Sequence, residues 1–270
     1  MKETGAELEV LVTTMHQQDT KKYSEMNLQT DAVIANQTDR NFYTEECIAG
    51  NCVKLVSTGT RGLSRNRNIA LSFSSGKLLL FTDDDVTFLD GYDRLILQEF
   101  REHPEADAIR FEMHVSAIAK EKDVRHPKAP ECFRPATRRE ITRYGVCGLA
   151  IRKSVLKKHC LYFNEDFGSG TENYCGEDTI FLQQILNRKI RLYLSPTIIA
   201  SIDKSQSTWF QGFDEKRFYV NGKVLAAVYP RLAGLMAVRS SFKFSRRQKD
   251  MGFFRIWKSY RRGIHDYLHS

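Results

Sequence analysis

Three adjacent carboxylates, Asp83, Asp84 and Asp85, directly follow the apolar run 78–81. The run is typical of a buried strand, so the carboxylates fall at a strand end, where unpaired burial costs several kcal/mol each. Because side chains alternate along an extended chain, Asp83 and Asp85 face one side and Asp84 the other. Mg²⁺ and Mn²⁺ accept one or two carboxylates and take further ligands from phosphate and water. The pattern predicts a positive partner, either a metal ion or cationic side chains; the alternative is an acidic turn in solvent.

A second pair of carboxylates, Glu177 and Asp178, follows Gly176 at the start of a helix predicted over 178–190. A carboxylate held in this way can act as a general base. Acidic residues in a first helical turn also favour the helix dipole, which requires no further function. The sequence therefore leaves two interpretations of the pair, a catalytic base or a helix cap.

Three arginines, Arg61, Arg65 and Arg67, surround the junction between a loop and a helix in the stretch RGLSRNRNIALS. Arginine side chains and helix N-termini both bind phosphate. The stretch predicts a phosphate contact, and a solvated basic helix face is the alternative.

Strands and helices alternate over the first 115 residues, which predicts a parallel, three-layer α/β sheet. In such sheets ligands bind beyond the carboxyl ends of the strands. Thr13, the segment 36–39 and the three aspartates all fall at such ends. The predicted strands are 8–14, 31–37, 53–58, 77–83 and 106–115, and the predicted helices are 63–75 and 91–104. Farther along, the patterns predict a strand entering a helix over 146–156, a helix over 178–190, a strand over 191–201 interrupted by Pro196, and a basic amphipathic stretch from 240.

The length and composition suit one large globular domain, or one domain with a C-terminal appendage. Of 270 residues, 41% are hydrophobic and 27% charged, and no apolar run approaches the roughly 20 residues that a membrane-spanning helix needs. Six cysteines without a C-x-x-C motif favour reduced thiols, and the acidic N-terminus is unlike a secretory signal, so we expect a cytoplasmic protein. A net charge of +8 is compatible with phosphorylated ligands, anionic membranes or nucleic acid. The absence of a nucleic-acid motif argues against nucleic acid as a partner.

Taken in order along the chain, five motifs resemble those of the inverting family 2 glycosyltransferases of GT-A fold. They are NQTDRN, GLSRNRNIAL, LLLFTDDDVTF, GEDTIFL and QSTWFQGF. The resemblance is closer still to the bacterial enzymes of capsule, exopolysaccharide and lipopolysaccharide biosynthesis, and it covers roughly residues 8–225. It implies a Rossmann-like, three-layer α/β/α fold with a mainly parallel central sheet and a C-terminal helical appendage. It also implies these units: a catalytic domain over 1–225, with a nucleotide-binding half (1–115) and an acceptor-binding half (116–225), and a basic helical segment over 226–270.

The resemblance also implies roles for single residues. Asp85 matches the metal ligand of the family, and Asp178 matches the base that deprotonates the acceptor hydroxyl, with Glu177 beside it. The residues that match nucleotide-binding positions, or adjoin them in the D-x-D motif, are Thr13, Asp39, Arg65, Asp83 and Asp84.

The implied reaction transfers a sugar from a nucleoside diphosphate donor to a hydroxyl of a glycan or lipid-linked acceptor, with inversion. The implied cofactor is Mn²⁺ or Mg²⁺, and UDP is the default nucleotide. Many relatives place a metal-binding histidine late in the catalytic domain, whereas this chain has ASIDKSQSTWF there. Asp203 is the candidate oxygen ligand in that stretch; otherwise Asp85, phosphate and water hold the metal.

Two other classes of function use a similar framework. A sugar nucleotidyltransferase would carry a glycine-rich, basic signature near the first strand, but LVTTMHQQD contains no glycine. A non-catalytic binding or scaffold relative would be expected to lack the D-x-D or the base, and both are present.

The tail over 240–268 combines apolar and basic residues at roughly helical spacing. The apolar set is Phe253, Phe254, Ile256, Trp257, Tyr260, Ile264 and Leu268, and the basic flanks are Lys258, Arg261 and Arg262. Two interpretations remain: a terminal helix that packs on the catalytic domain, or an interfacial helix in peripheral contact with the anionic inner face of the plasma membrane.

Overall fold

The computed structural model describes residues 6–115, 129–202, 214–247 and 251–269. Within these residues the chain forms ten strands, eight α-helices and one 3-10 turn (Ile141–Arg143). In chain order the elements are β1 (Leu8–Met15), α1 (Lys22–Glu25), β2 (Asp31–Gln37), β3 (Phe42–Ile48), β4 (Asn51–Thr58), α2 (Leu63–Phe73), β5 (Leu78–Asp83), β6 (Val86–Phe88), α3 (Tyr92–Glu102), β7 (Ala108–Val115), β8 (Arg134–Pro135), β9 (Leu149–Arg152), α4 (Lys153–Lys158), α5 (Glu177–Asn187), β10 (Leu192–Ile202), α6 (Glu215–Val228), α7 (Ala233–Ser245) and α8 (Phe253–Leu268).

One mixed sheet contains all the described strands, in the order β3-β4-β2-β1-β5-β9-β7-β10-β6, with β8 paired to β10. Strands β4, β2, β1 and β5 are parallel neighbours, and β7 and β10 are parallel to each other. Strand β9 is antiparallel to both β5 and β7, so the six longer central strands all run in one direction. The predicted α/β fold with a mainly parallel sheet and a C-terminal helical appendage is confirmed.

The central strands are apolar on both faces because helices cover both sides of the sheet. Along β1, Val10 and Val12 enter one hydrophobic core while Leu11 enters the other. On β5, Leu80 enters the first of these cores and Leu79 enters the second. This alternation produces the three layers that the resemblance implies.

Strands β3 and β9 both depart from the predicted parallel direction of the sheet. Strand β3 is an antiparallel edge strand that forms a hairpin with β4, and its side chains are mostly exposed. Strand β9 has only four residues and lies antiparallel between β5 and β7. The sequence does not predict β3, because an exposed edge strand needs no buried face, whereas β9 and the helix α4 that follows it confirm the strand entering a helix predicted over 146–156.

The three C-terminal helices share a hydrophobic core of their own, which contains Phe218, Ala237, Ile256 and Tyr260. Helix α8 crosses α6 closely, because a Cβ atom on Gly263 would lie 2.0 Å from a backbone oxygen of α6. The tail therefore packs on α6, and Ile256 and Tyr260 are buried rather than open to lipid. The boundary predicted at residue 225 lies inside α6. Among the described residues no helix is both long and apolar enough to cross a bilayer.

Candidate active site

The ends of β1 and β5 place polar side chains side by side. Thr13 is the register partner of Asp83, and its Oγ1 donates to Asp83 Oδ1 at 2.8 Å. Thr14 Oγ1 donates to Asp84 Oδ2 at 2.5 Å. Asp83 and Asp85 line a cavity of about 630 Å³, and Asp84 is not part of its described wall. The side chains of the three aspartates are thus divided in the manner that strand alternation predicts.

A buried arginine connects this strand end to the second pair of carboxylates. Arg67 of α2 is 2% exposed, and its Nη2 donates to Asp83 Oδ1 at 3.1 Å. Its Nη1 donates to Asp178 Oδ1 at 2.7 Å and lies 3.9 Å from Glu177 Oε1. Part of the positive charge that the aspartates require is therefore a cationic side chain of the chain itself.

The asparagines on either side of this arginine fix helix α2 against the sheet. Asn66 Nδ2 donates to the carbonyl oxygens of Ala35 at 2.8 Å and Thr14 at 3.3 Å, at the ends of β2 and β1. Asn68 exchanges two hydrogen bonds with the backbone of Phe163, at 2.9 and 3.0 Å. The alternation of Arg and Asn in SRNRN thus separates side chains that anchor α2 from the one that enters the site.

Two residues predicted to bind the nucleotide lie elsewhere. Arg65 pairs with Glu165 at 2.8 Å, and Asp39 pairs with Arg61 at 2.9 Å; both pairs are largely exposed and outside the cavity wall. Of the three arginines that the sequence singles out in this stretch, Arg67 enters the cavity, whereas the resemblance implies a nucleotide role for Arg65.

The helical spacing of the sequence favours Arg67 over Arg65 as the arginine that enters the cavity. Leu63 and Arg67 are four residues apart on α2 and both line the cavity, whereas Arg65 is two residues from each and points to another side. The nucleotide roles of Thr13, Asp39, Arg65, Asp83 and Asp84 stay predictions.

The second pair of carboxylates begins helix α5, where a glycine is required. Gly176 has φ of 103°, and a Cβ there would lie 2.3 Å from Val224 Cγ2 of α6. The first turn of α5 then directs Glu177 and Asp178 into the cavity that Asp83 and Asp85 also line. Both predicted catalytic residues therefore share one cavity with the D-x-D carboxylates.

Burial makes this carboxylate pair harder to ionise. For Glu177, burial and then the negative charge of Asp178 raise the pKa, against the opposing effect of Arg67. The pKa of Asp178 is also raised, mainly by burial, while Arg67 acts in the lowering direction. Glu177 Oε2 is buried and has no hydrogen-bond partner in the part of the chain that the structure describes. The pair thus titrates above the ordinary range of a carboxyl group, as suits a general base.

Cysteine chemistry is a poor match to this site. Cys147 and Cys175 line the cavity, and burial raises the pKa of their thiols to about 12 and about 11. At neutral pH both are protonated, and a thiol is a far weaker nucleophile than a thiolate. All six cysteines are free thiols in the structure, in keeping with the expected reduced state.

The cavity fits a divalent cation only if a ligand completes the coordination. No group of three or more His, Cys, Asp or Glu side chains within the described ranges is placed to hold a metal. Asp83 and Asp85 offer carboxylate oxygens, and an Mg²⁺ site commonly uses one or two of these with phosphate and water. Asp203 and the whole QSTWFQGF motif lie outside the described residues.

The fold and the cavity together define a GT-A type domain, with carboxylates at the end of a central strand and in the first turn of a later helix. A family model described as "Glycosyl transferase family 2" matches residues 37–159, which include α2 and the three aspartates. Over residues 37–159 the chain is thus similar to glycosyltransferase family 2. A search of curated proteins finds no significant match to the sequence.

Solved structures agree on the fold across almost the whole chain. S. aureus TarS 1–349 in complex with UDP-GlcNAc has a TM-score of 0.63 at 14% identity, and the alignment covers 97% of this chain and 92% of that one. The same TarS fragment in complex with UDP has a TM-score of 0.60 at 14% identity, with coverages of 97% and 91%. At these identities the likeness concerns the fold.

Proposed function

We propose that the protein transfers a sugar from a nucleoside diphosphate donor to a hydroxyl group of a glycan or lipid-linked acceptor, with inversion of the anomeric centre. The observation that carries the proposal is the shared cavity, in which Arg67 lies between a D-x-D carboxylate, Asp83, and the carboxylate proposed as base, Asp178. A donor site and a proton acceptor are the two parts that a single displacement requires.

A UDP-sugar is the donor that we favour. The solved structures with this fold include complexes with UDP-GlcNAc and with UDP, which supports a uridine nucleotide for this chain as well. The sugar itself follows from neither the fold nor the motifs.

In the proposed reaction the acceptor oxygen attacks the anomeric carbon while the bond to the diphosphate breaks, and the bonding electron pair leaves with the diphosphate. Asp178 takes the proton of the incoming hydroxyl, because its carboxylate lines the cavity and its raised pKa makes it an effective base. Arg67 fixes the orientation of that carboxylate by its 2.7 Å contact. One base and one displacement give inversion.

Mn²⁺ or Mg²⁺ is the proposed cofactor, held by Asp85 with Asp83 nearby and by Asp203 if that residue reaches the site. When bound, the ion would act as a Lewis acid that stabilises the charge of the departing diphosphate. Asp83 and Asp85 contribute oxygens on the wall of the cavity, and Thr13 orients Asp83 by its hydrogen bond.

The proposal is tested by incubating the protein with a panel of nucleotide sugars and Mn²⁺ or Mg²⁺ and measuring nucleotide release. We expect release of a nucleoside diphosphate from one donor, accelerated by acceptor glycans and lost in Asp178→Asn. Release of pyrophosphate from a nucleoside triphosphate and a sugar phosphate would instead identify a nucleotidyltransferase. Tight nucleotide binding without turnover by any donor and acceptor would identify a binding or scaffold protein.

For the cellular setting we propose assembly of a bacterial surface polysaccharide at the cytoplasmic face of the plasma membrane, with the enzyme in peripheral contact with the membrane. The resemblance supports this setting, as does the basic character of the C-terminal segment.

A further inference from the structure

Helix α7 carries several large apolar side chains on the outside of the protein. Leu235 is 71% exposed, Phe242 53% and Val238 43%, and Leu232, just before the helix, is 54% exposed. These four residues, together with the exposed Arg239 and Arg246, are called the α7 outer face below.

The inner side of the same helix carries mainly small residues, with Phe244 packed against Phe218 near the end of the helix. Ala233, Ala237 and Ser241 recur every four residues and are buried, and Ala237 packs into the core shared with α6 and α8. A surface helix ordinarily turns its large apolar residues inward and its polar residues outward. Helix α7 reverses part of this arrangement, so its outer face presents apolar surface that its own fold does not cover.

The charge around this face has one sign. Between residues 229 and 249 the chain has six basic residues and no acidic residue. Arg239 lies one helical turn from both Leu235 and Phe242, and the guanidinium of Arg246 covers the Phe242 ring at 4.1 Å. Apolar side chains are thus bordered by cations, which suits a partner with an apolar interior and an anionic surface.

We infer that the α7 outer face is the surface by which the protein binds an anionic lipid bilayer, with Leu235, Val238 and Phe242 inserted among the headgroups and Arg239 and Arg246 on the lipid phosphates. The inference rests on the peripheral contact proposed above and locates it on α7, whereas the sequence offered the tail over 240–268 as an interfacial helix in one of two interpretations. Helix α7 has 13 residues, so it can lie in the interface but not cross the membrane.

A second copy of the chain is a less suitable occupant. A symmetric contact through the α7 outer face would bring Arg239 and Arg246 of both copies together, with no acidic residue in the surrounding segment to offset them. Anionic lipid satisfies both the apolar and the basic residues.

The test is co-sedimentation of the full chain with vesicles of phosphatidylcholine, alone or with one third phosphatidylglycerol. We expect binding to the anionic vesicles only, and weaker binding as salt is raised. The variant Leu235→Gln/Phe242→Gln should bind at least tenfold more weakly. Arg239→Gln/Arg246→Gln should lose about 25-fold, since each basic residue near the surface strengthens binding about fivefold.

The matched control is Leu89→Gln/Leu95→Gln, which removes one exposed leucine just after β6 and one in the first turn of α3 and should bind as the unmodified protein does. Circular dichroism checks that each variant is folded, and nucleotide release in the absence of vesicles checks the transfer reaction separately. If neither the unmodified protein nor any variant releases nucleotide, the proposed function fails while the vesicle result stands.

The inference is overturned if the unmodified protein ignores anionic vesicles, or if both α7 variants bind them as well as it does. It is also overturned if light scattering shows an oligomer that dissociates in Leu235→Gln/Phe242→Gln without any vesicle binding, because the face then serves a second copy.

Discussion

Nη1 of Arg67 lies 2.7 Å from Oδ1 of Asp178, although 111 residues separate the two in the chain. The same guanidinium reaches Asp83 through its other terminal nitrogen. Asp83 and the proposed base Asp178 are therefore joined by one buried cation, and this connection has measurable consequences for the pH dependence of the proposed transfer.

Arg67→Gln should move the acidic limb of the pH–rate profile to higher pH. The base must be ionised to work, so the rate rises with pH through its pKa, which burial already raises. Arg67 acts on this pKa in the lowering direction, so removing its charge raises it further. The measurement is kcat/KM against pH. Arg67→Lys keeps the positive charge but not the two terminal nitrogens of the guanidinium, so its acidic limb should lie between those of the unmodified protein and Arg67→Gln. A profile that does not move in Arg67→Gln would contradict the electrostatic connection.

Asp178→Asn should lower transfer by about 10² to 10⁴, the usual contribution of a general base. Asparagine keeps the shape of the side chain but accepts no proton, so nucleotide affinity measured by calorimetry should change little. Glu177→Gln is the matched variant, because it removes the neighbouring charge and leaves Asp178 in place. It should retain most of the activity and shift the acidic limb to lower pH. An equal loss of activity in both variants would show that the base cannot be assigned to Asp178 alone.

The sequence predicts a strand correctly where its apolar run is long. Strands β1, β2 and β5 are continuous apolar runs, because both of their faces are buried, and they mark the edge of the sheet where the three aspartates lie. Strand β3 is exposed and was not predicted, whereas the strand entering a helix that was predicted over 146–156 corresponds to β9 and α4. The contact of Arg67 with Asp178 depends on the packing of α2 against α5, which no local pattern encodes.

Asp85→Ala should abolish turnover, or lower it at least a hundredfold, and EDTA should do the same to the unmodified protein. The control is Asp84→Ala, its neighbour, which contacts Thr14 rather than the cavity. This variant should lose about 1 kcal/mol of stability with its hydrogen bond, but keep its activity within about tenfold. Turnover and urea unfolding measure the two effects. Full activity of Asp85→Ala, or of the protein in EDTA, would remove the proposed metal role.

Gly263→Ala should destabilise the C-terminal helices, because the added Cβ would lie 2.0 Å from the carbonyl oxygen of Tyr219 and must force α8 away from α6. We expect a loss of about 1 to 3 kcal/mol in the free energy of unfolding, typical of overpacking. The matched control is Gly234→Ala in α7, where nothing lies within 4 Å of the added methyl group. Alanine has the higher helix propensity, so this control should gain up to about 1 kcal/mol. Urea unfolding followed by circular dichroism compares the two, and a Gly263→Ala protein as stable as the Gly234→Ala protein would show that α6 and α8 are not in the close contact described here.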